Sequence, residues 1–302
     1  MSDQTKKPVY INRENFTDKI KSYLRHPGSM ILMFLVMLAT FITFALLLFL
    51  IFYILINGIP YIKPSLFSLH YTSDNASVIP ALINTVVMTL LSLLIAVPFG
   101  IFSAIFLVEY AGKGNKFIEV IRLTTATLSG IPSIVYGFFG LVVLVPFIRE
   151  HFKNSNGQSI LCASILLGIM ILPTIIGASE PTIRAVEQSY YEGALALGAT
   201  HERSVFTVVV PAAKSGILAA VILGVGRALG ETMAVMMVVG NQPRVPNSIL
   251  QGVRTLTTNI VMEMGYATDL HREALIATGV VLFAFILIIN LCFSAIKRSG
   301  KE

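Results

Sequence analysis

The chain has 302 residues, of which 55% are hydrophobic and only 13% are charged. A soluble domain has about 45–50% apolar and about 25% charged residues. A soluble fold could not bury so much apolar side chain and cover its surface with so few charges, which excludes an ordinary cytosolic enzyme, a disordered chain and a nucleic-acid-binding domain. The formal net charge is +6, and the positions of its charges matter more than their sum.

Six stretches are apolar over the roughly 20 residues that a bilayer-spanning helix requires. In chain order they cover residues 30–56, 79–108, 123–148, 160–179, 205–240 and 274–296. Helices are expected because each backbone group must be satisfied within the lipid, and the alternating pattern of barrel strands is absent. The predicted fold class is therefore an all-α polytopic membrane protein with six transmembrane helices. Interior prolines indicate kinks or breaks, and the fifth stretch is too long for one simple span.

The basic residues orient these spans. Fifteen Lys and Arg residues fall on the side of the two termini and six on the opposite side, so both termini are predicted to be cytoplasmic. In residues 1–29, apolar side chains recur at helical spacing among basic ones, which predicts an amphipathic segment on the inner membrane surface, although a solvated basic segment fits equally well. Residues 297–302 form the predicted cytoplasmic tail.

Several kinds of site have no support in the sequence. Cys162 and Cys292 lie in long apolar stretches, which disfavours a disulfide or a zinc site. No ATP-binding loop and no nucleophile motif occur, so neither a cofactor nor enzyme activity is expected. His271 beside Arg272 is interpreted as a solvated pair in an outer loop.

The loop between the fourth and fifth spans, near residues 180–204, is rich in small side chains. Residues 189–200 read Ser-Tyr-Tyr-Glu-Gly-Ala-Leu-Ala-Leu-Gly-Ala-Thr. They predict a short helix, a turn at Gly198 and a second helix, with small side chains that let a partner surface approach. A helical hairpin on the membrane surface would have a similar composition.

The spacing in this loop resembles the EAA loop of ABC-importer permeases. That pattern begins with Glu, a small residue and Ala, and Gly follows after three further residues. Nine residues later come an apolar residue, any residue, a second apolar residue and Pro. It is met by Glu192, Gly193, Ala194, Gly198, Val208, Val210 and Pro211, with Gly193 where alanine is usual and valines where Ile and Leu are common. The resemblance implies a type I permease fold, and it implies that Glu192, Gly193, Ala194, Gly198 and Thr200 contact a separate ATPase.

The fifth span contains two charged residues at membrane depth, Arg227 and Glu231. An intramembrane arginine costs about 2.5–3.5 kcal/mol on insertion scales and usually faces a bundle interior or a wet cavity on a substrate path. Because they are four residues apart, Arg227 and Glu231 are predicted to share one helix face and to be able to pair. The alternative is that they only neutralise each other within the packing.

The residue types indicate an oxyanion substrate. The planar guanidinium of arginine binds tetrahedral oxyanions and remains charged at any relevant pH. A carboxylate nearby disfavours a fully charged anion but accepts a hydrogen bond from a protonated one. Phosphate retains such protons near neutral pH and sulfate does not, so Glu231 favours phosphate.

Residues 226–235, Gly-Arg-Ala-Leu-Gly-Glu-Thr-Met-Ala-Val, are similar to the signature of the phosphate-transporter permeases PstC and PstA, which are sisters. In that family the Arg and Glu are tied to phosphate passage, which implies this role for Arg227 and Glu231. Residues 130–137, Gly-Ile-Pro-Ser-Ile-Val-Tyr-Gly, match both sisters. Residues 107–111 and 194–199 are closer to PstA, whereas residues 232–234 and 255–274 are closer to PstC, and PstC is favoured. The resemblance covers about residues 79–290.

The third span contains a point at which its helix would break, around Pro132. Broken helices expose amides and hydroxyls to anions, while the alternative is a proline kink whose serine hydroxyls bond their own helix. Asn84 and Thr85 are weaker candidates of the same kind. The predicted substrate path comprises Arg227, Glu231, Thr232, Ser129 and Ser133.

The resemblance implies a non-catalytic permease subunit of an ATP-driven importer of inorganic phosphate in the bacterial cell membrane. Its implied partners are an ATP-binding cassette ATPase dimer, a second homologous permease similar to PstA, an extracytoplasmic phosphate-binding protein and the membrane lipid. Two alternatives stay open: an ABC permease for another oxyanion, such as molybdate or sulfate, and an ATPase-independent channel or ion-coupled transporter.

Overall fold

The computed structural model describes residues 27–72, 75–111, 116–153 and 155–299. Of the described residues, 27–56 belong to one unit and those from 57 to 299 to another. The predicted amphipathic segment lies, from residue 1 to residue 26, outside the described residues, as do residues 300–302 of the predicted tail. Within the described ranges the structure is helical, and its β pairing consists of one isolated bridge between Gly240 and Val253.

The helices are numbered in chain order. They are α1 Pro27–Gly58, α2 Ile79–Ile105, α3 Lys116–Gly130, α4 Ser133–Phe139, α5 Val145–His151, α6 Ile160–Arg184, α7 Gln188–Ala196, α8 His201–Ser204, α9 Val210–Ala212, α10 Lys214–Gly230, α11 Met233–Val238, α12 Leu256–Met264 and α13 Asp269–Ser299. Turns of π-helix follow α2, α4 and α8 at Phe106–Tyr110, Gly140–Leu144 and Val205–Val209, and 3-10 turns lie at Ile59–Tyr61 and Pro64–Phe67.

The predicted six-span architecture is confirmed. Among the described residues, five helices are long and apolar enough to cross a membrane, and a bent pair formed by His201–Ala212 and Lys214–Gly230 makes a sixth. Four of the predicted spans match α1, α2, α6 and α13 closely.

The third and fifth spans are interrupted, and the structure corrects their limits. α3 ends at Gly130, Pro132 is extended at φ −58° and ψ 139°, and a new helix begins at Ser133. Because proline has no amide hydrogen and forces the preceding residue out of the helical region, the chain breaks there rather than bending. The spanning helix is Ser133–His151, so the predicted span at 123–148 begins too early.

The fifth stretch is divided into three pieces. The helix before Ala213 meets α10 at an angle of 69°, α10 ends at Gly230, and α11 begins at Met233. Residues 205–240 therefore do not form a single span, as expected from a stretch that exceeds the roughly 20 residues of a bilayer-spanning helix.

The core of the second unit is built on α6. Ile175 of α6 is fully buried between glycines on two neighbouring helices. A Cβ at Gly100 of α2 would lie 2.7 Å from Ile175, and a Cβ at Gly224 of α10 would lie 3.1 Å from it. Since glycine leaves this space to its neighbour, both helices approach α6 closely, and residue 227 is thereby brought beside α6.

Candidate functional site

Arg227 lies near the end of α10 and points to α6. Its Nη1 donates a hydrogen bond of 2.9 Å to the hydroxyl of Thr174, which follows Pro173 within α6. In the part of the chain that the structure describes, Thr174 is the one hydrogen-bond partner of the guanidinium. Because arginine carries five N–H donors, most of its hydrogen-bonding capacity is left for a ligand.

Arg227 and Glu231 are four residues apart but do not pair in the described part of the chain. α10 ends at Gly230, and Glu231 is extended at ψ 127°. The Oε1 of Glu231 instead accepts a hydrogen bond of 3.1 Å from the amide of Ala234. The carboxylate therefore stabilises the first turn of α11, where an acidic group is favourable, and the described structure has no Arg227–Glu231 ion pair.

Hydroxyl groups satisfy the carbonyl groups at this break. Thr232 donates to the carbonyl oxygen of Gly230 over 3.2 Å, and Thr257 of α12 donates to that of Glu231 over 3.1 Å. Unpaired backbone groups at membrane depth would be costly, so these two bonds explain how the chain can open between α10 and α11. Thr232 is a half-buried member of the opening.

The break in the third span lies beside this opening. A Cβ at Gly137 of α4 would lie 2.9 Å from the Cα of Ala234 in α11, so the two motifs of the predicted site pack directly against each other. Tyr136 donates to the carbonyl oxygen of Leu128 over 2.8 Å and so ties α4 to α3 across the break.

The two serines next to the break in the third span differ in exposure and in hydrogen bonding. Ser133 is the first residue of α4 and is half-buried. Ser129 is exposed and donates to the carbonyl of Ala126 in its own helix, over 2.7 Å, which is the behaviour expected of a serine that only satisfies its helix. Ser129 also borders a cleft between α3 and α6.

Asn84 and Thr85 serve a structural purpose in the described chain. The Nδ2 of Asn84 donates to the carbonyl groups of Arg244 and Arg254, over 2.9 and 3.0 Å. Thr85 accepts from the amide of Leu256 over 3.0 Å. Both residues are buried and fasten the segment after α11 to the start of α2.

The loop that resembles the EAA motif has the predicted helix–glycine–helix form. α7 is followed by Gly198 at φ +83°, and Thr200 caps α8 by accepting from the amide of Arg203. Since a left-handed residue is nearly free of strain only as glycine, Gly198 fixes the turn between the two helices.

The same loop presents its first helix to the outside. α7 has no buried residue, and Leu197 at its end is 91% exposed. Glu192 accepts from Gln188 over 2.7 Å on the exposed face. Tyr191 and the ring of His201 are hydrogen-bonded over 2.7 Å, which joins α7 to α8.

A charged cluster of Arg254, Glu263 and His271 was not predicted from the sequence. The buried Arg254 pairs with Glu263, which also binds His271 over 2.7 Å. Burial raises the pKa of the Glu263 carboxyl, but hydrogen bonds from His271 and Arg254 outweigh it, so the pKa lies below its ordinary value. His271 is therefore half-buried and paired, and the interpretation as a solvated pair with Arg272 is wrong.

Thr174 and Tyr136 were also missed. Thr174 is the one hydroxyl residue between Ser164 and Ser179 in the sequence. A lone threonine directly after a proline in an apolar helix is a signal that could have identified it as the partner of an intramembrane charge.

The family model described as "Binding-protein-dependent transport system inner membrane component" matches residues 96–299. The probable ABC transporter permease protein YqgH of Bacillus subtilis is 41% identical over an alignment of length 246, which covers 78% of this chain and 79% of that protein. The phosphate transport system permease protein PstC of Haemophilus influenzae is 34% identical over an alignment of length 226, which covers 68% of this chain and 71% of that protein.

Solved structures agree on the fold. A bacterial ABC transporter involved in import of the acidic polysaccharide alginate has a TM-score of 0.64 at 16% identity, covering 95% of this chain and 99% of that one. The methionine ABC transporter MetNI has a TM-score of 0.56 at 20% identity, covering 74% and 94%. The chain is a non-catalytic membrane subunit with the type I ABC-importer fold, which works with a separate ATPase and a binding protein. It belongs to the family of binding-protein-dependent transport system inner membrane components.

Proposed function

We propose that this chain is a permease subunit of an ATP-driven importer of inorganic phosphate. A second permease similar to PstA completes the pathway, an ATPase dimer drives it, and a phosphate-binding protein delivers the anion from outside. In this proposal residues 1–29 lie on the cytoplasmic side, residues 30–296 form the permease domain, and residues 297–302 form a cytoplasmic tail, so both termini are cytoplasmic.

The observation that supports the assignment of the substrate is that most N–H donors of Arg227 are free in the described part of the chain. Its guanidinium is held by the single described hydrogen bond to Thr174, beside the two helix breaks. A partly desolvated guanidinium with free donors favours a tetrahedral oxyanion. PstC permeases similar to this chain over 68–73% of its length support phosphate as that anion.

The carboxylate of Glu231 supports phosphate over sulfate. It lies at the opening between α10 and α11, four residues from Arg227, and is held by the amide of Ala234. An ionised carboxylate repels a fully charged anion but accepts a hydrogen bond from a protonated one, and only phosphate retains a proton near neutral pH. Thr232 and Ser133 supply hydroxyls at the same two breaks, and Ser129 lies at the end of α3.

The loop around Gly198 is the proposed contact with the ATPase. Glu192, Gly193, Ala194, Gly198 and Thr200 fall on or next to the exposed helix α7. Closure of the ATPase pair on ATP moves this loop, and the movement opens the permease pair outward.

The test is phosphate uptake by Arg227→Gln in proteoliposomes that contain the whole transporter, with the binding protein outside. Uptake is expected to be lost while the complex assembles at normal yield. Arg272→Gln, which changes an exposed arginine, is the matched control and is expected to transport normally. Normal uptake by Arg227→Gln would refute the role of this residue, and uptake of sulfate or molybdate in place of phosphate would reassign the substrate.

A further inference from the structure

A cleft between α3 and α6 extends away from Arg227. Its volume is about 330 Å³, and the residues that matter here are Arg122, Thr125, Ser129, Pro173, Gly177 and Glu180. The proposed function uses only Ser129 among these residues, so the cleft and its two charged side chains are unassigned.

The cleft has a polar wall from each helix. On α3, Arg122, Thr125 and Ser129 follow one another at intervals of three and four residues. On α6, Pro173, Gly177 and Glu180 do the same. Residues at this spacing share one helix face, so two faces that carry hydroxyl, glycine and charged groups oppose each other along the cleft.

One end of the cleft lies next to the residue that binds Arg227. Pro173 borders the cleft, and the next residue, Thr174, accepts the hydrogen bond of Arg227. The other end lies towards Arg184, the last residue of α6, from which three residues lead into α7. The cleft therefore extends along α6 from the residue before Thr174 towards the end of the bundle that carries the proposed coupling loop.

The far end carries an excess of positive charge. The Oε1 of Glu180 lies 3.0 Å from Nη2 of Arg122 and 2.6 Å from Nη2 of Arg184. One carboxylate thus serves two guanidinium groups. Arg122 also donates from Nη2 to the carbonyl of Leu107 over 3.1 Å, while its buried Nε has no hydrogen-bond partner within the described ranges.

We propose that Arg122 forms a second anion station, through which phosphate leaves Arg227 for the cytoplasm. In this station the hydroxyls of Thr125 and Ser129 turn to the anion from the carbonyl oxygens of Ile121 and Ala126, to which they donate in the structure. The proposal rests on the proposed function, because it takes the same substrate. Glu180 holds the guanidinium in place and competes with the anion for it. Such competition keeps binding weak, and weak binding at successive sites is what conduction requires.

The test is the rate of phosphate uptake by the whole reconstituted transporter. Arg122→Gln is expected to lower the rate about tenfold or more, because it removes a charged donor from the path. Arg184→Gln is the matched control: it changes the other arginine on the same carboxylate, which does not border the cleft, and is expected to leave the rate near normal.

A double variant separates transport from structure. If Arg122 only neutralises Glu180, then Arg122→Gln with Glu180→Gln should recover the rate, since no unpaired carboxylate remains. A station predicts that the double variant stays slow. If Arg122→Gln fails to assemble, Thr125→Val with Ser129→Ala decides instead, and this pair is expected to slow uptake; a normal rate would overturn the proposal.

A labelling experiment gives an independent readout. Thr125→Cys in a Cys292→Ser background is exposed to a negatively charged methanethiosulfonate from the cytoplasmic side, and inorganic phosphate is expected to slow the modification. Absence of protection together with a normal rate for Arg122→Gln would refute the station. If the station is refuted but Arg227→Gln abolishes uptake in the same assay, the proposed function still stands. Normal uptake by Arg227→Gln would refute the proposed function and the station together.

Discussion

Replacing Thr174 by valine removes the hydroxyl that holds the Arg227 guanidinium against α6, with almost no change in side-chain volume. We expect phosphate uptake to fall. The hydroxyl does not need to touch the substrate for this effect. It acts by positioning Arg227, which is the residue proposed to bind the substrate.

The magnitude follows from the type of bond. A hydrogen bond to a charged group contributes about 1.5–3 kcal/mol, and the half-buried position of Arg227 lowers this to roughly 1–2 kcal/mol because water competes for the donor. A loss of that size corresponds to a factor of about 5–30 in the population of the oriented guanidinium. The uptake rate of Thr174→Val is therefore expected to fall by about 5- to 30-fold.

The assay is uptake of labelled phosphate by proteoliposomes over a range of binding-protein concentrations. The maximal rate should fall while the half-saturating concentration of binding protein stays unchanged, because docking occurs elsewhere. Thr174→Ser keeps the hydroxyl and should retain most of the rate. If valine transports as well as threonine, or if serine is as slow as valine, the bond to Arg227 does not matter for transport.

Three further predictions concern backbone, packing and pH. Gly198→Ala, at φ +83° in open space, should cost about 1–2 kcal/mol of local strain and reduce ATPase stimulation by the permease, whereas Gly193→Ala, also in open space, should not. The Cβ of Gly137→Ala would lie 2.7 Å from α11, and this overpacking should cost about 1–3 kcal/mol and lower the melting temperature. Gly130→Ala, with no atom within 4 Å of its Cβ, should leave the melting temperature unchanged. Because the pKa of Glu263 is lowered in the fold, its ionised form stabilises the protein above the unfolded pKa of about 4.3, and this stabilisation is lost as the pH falls through the folded pKa. The melting temperature of Glu263→Gln should thus lie below that of the wild type at pH 7, and the gap should close in acid.

Much of the fold could be predicted because its determinants are local. The apolar length of α1, α2, α6 and α13 is visible in the sequence, and so are Pro132 and the excess length of the fifth stretch. Gly198 was predictable because the turn it forms needs a positive φ and little else.

The geometry at Glu231 was not predictable because it depends on distant residues. The i, i+4 rule assumes a continuous helix, whereas α10 ends at Gly230 and the Glu231 carboxylate accepts from the amide of Ala234. The hydroxyl that stabilises this end comes from Thr257, 26 residues further along the chain. No local sequence pattern predicts such a bond.

The cluster around Arg254 was missed for a similar reason. Arg254 and Glu263 are nine residues apart, a spacing that no helical rule relates. The segment packs on α2 through Asn84, so Arg254 is buried and pairs with the half-buried Glu263.

The bend before α10 makes this helix a lever. A Cβ at Gly216 would lie 2.5 Å from Thr182 of α6, so the start of the helix rests directly on its neighbour and can serve as a fulcrum. Arg227 lies eleven residues further on, a lever arm of about 16 Å at 1.5 Å per residue. A tilt of about 10° would displace Arg227 by about 3 Å, as far as a hydrogen bond is long. A small displacement at the bend before α10 would then suffice to detach the guanidinium from Thr174.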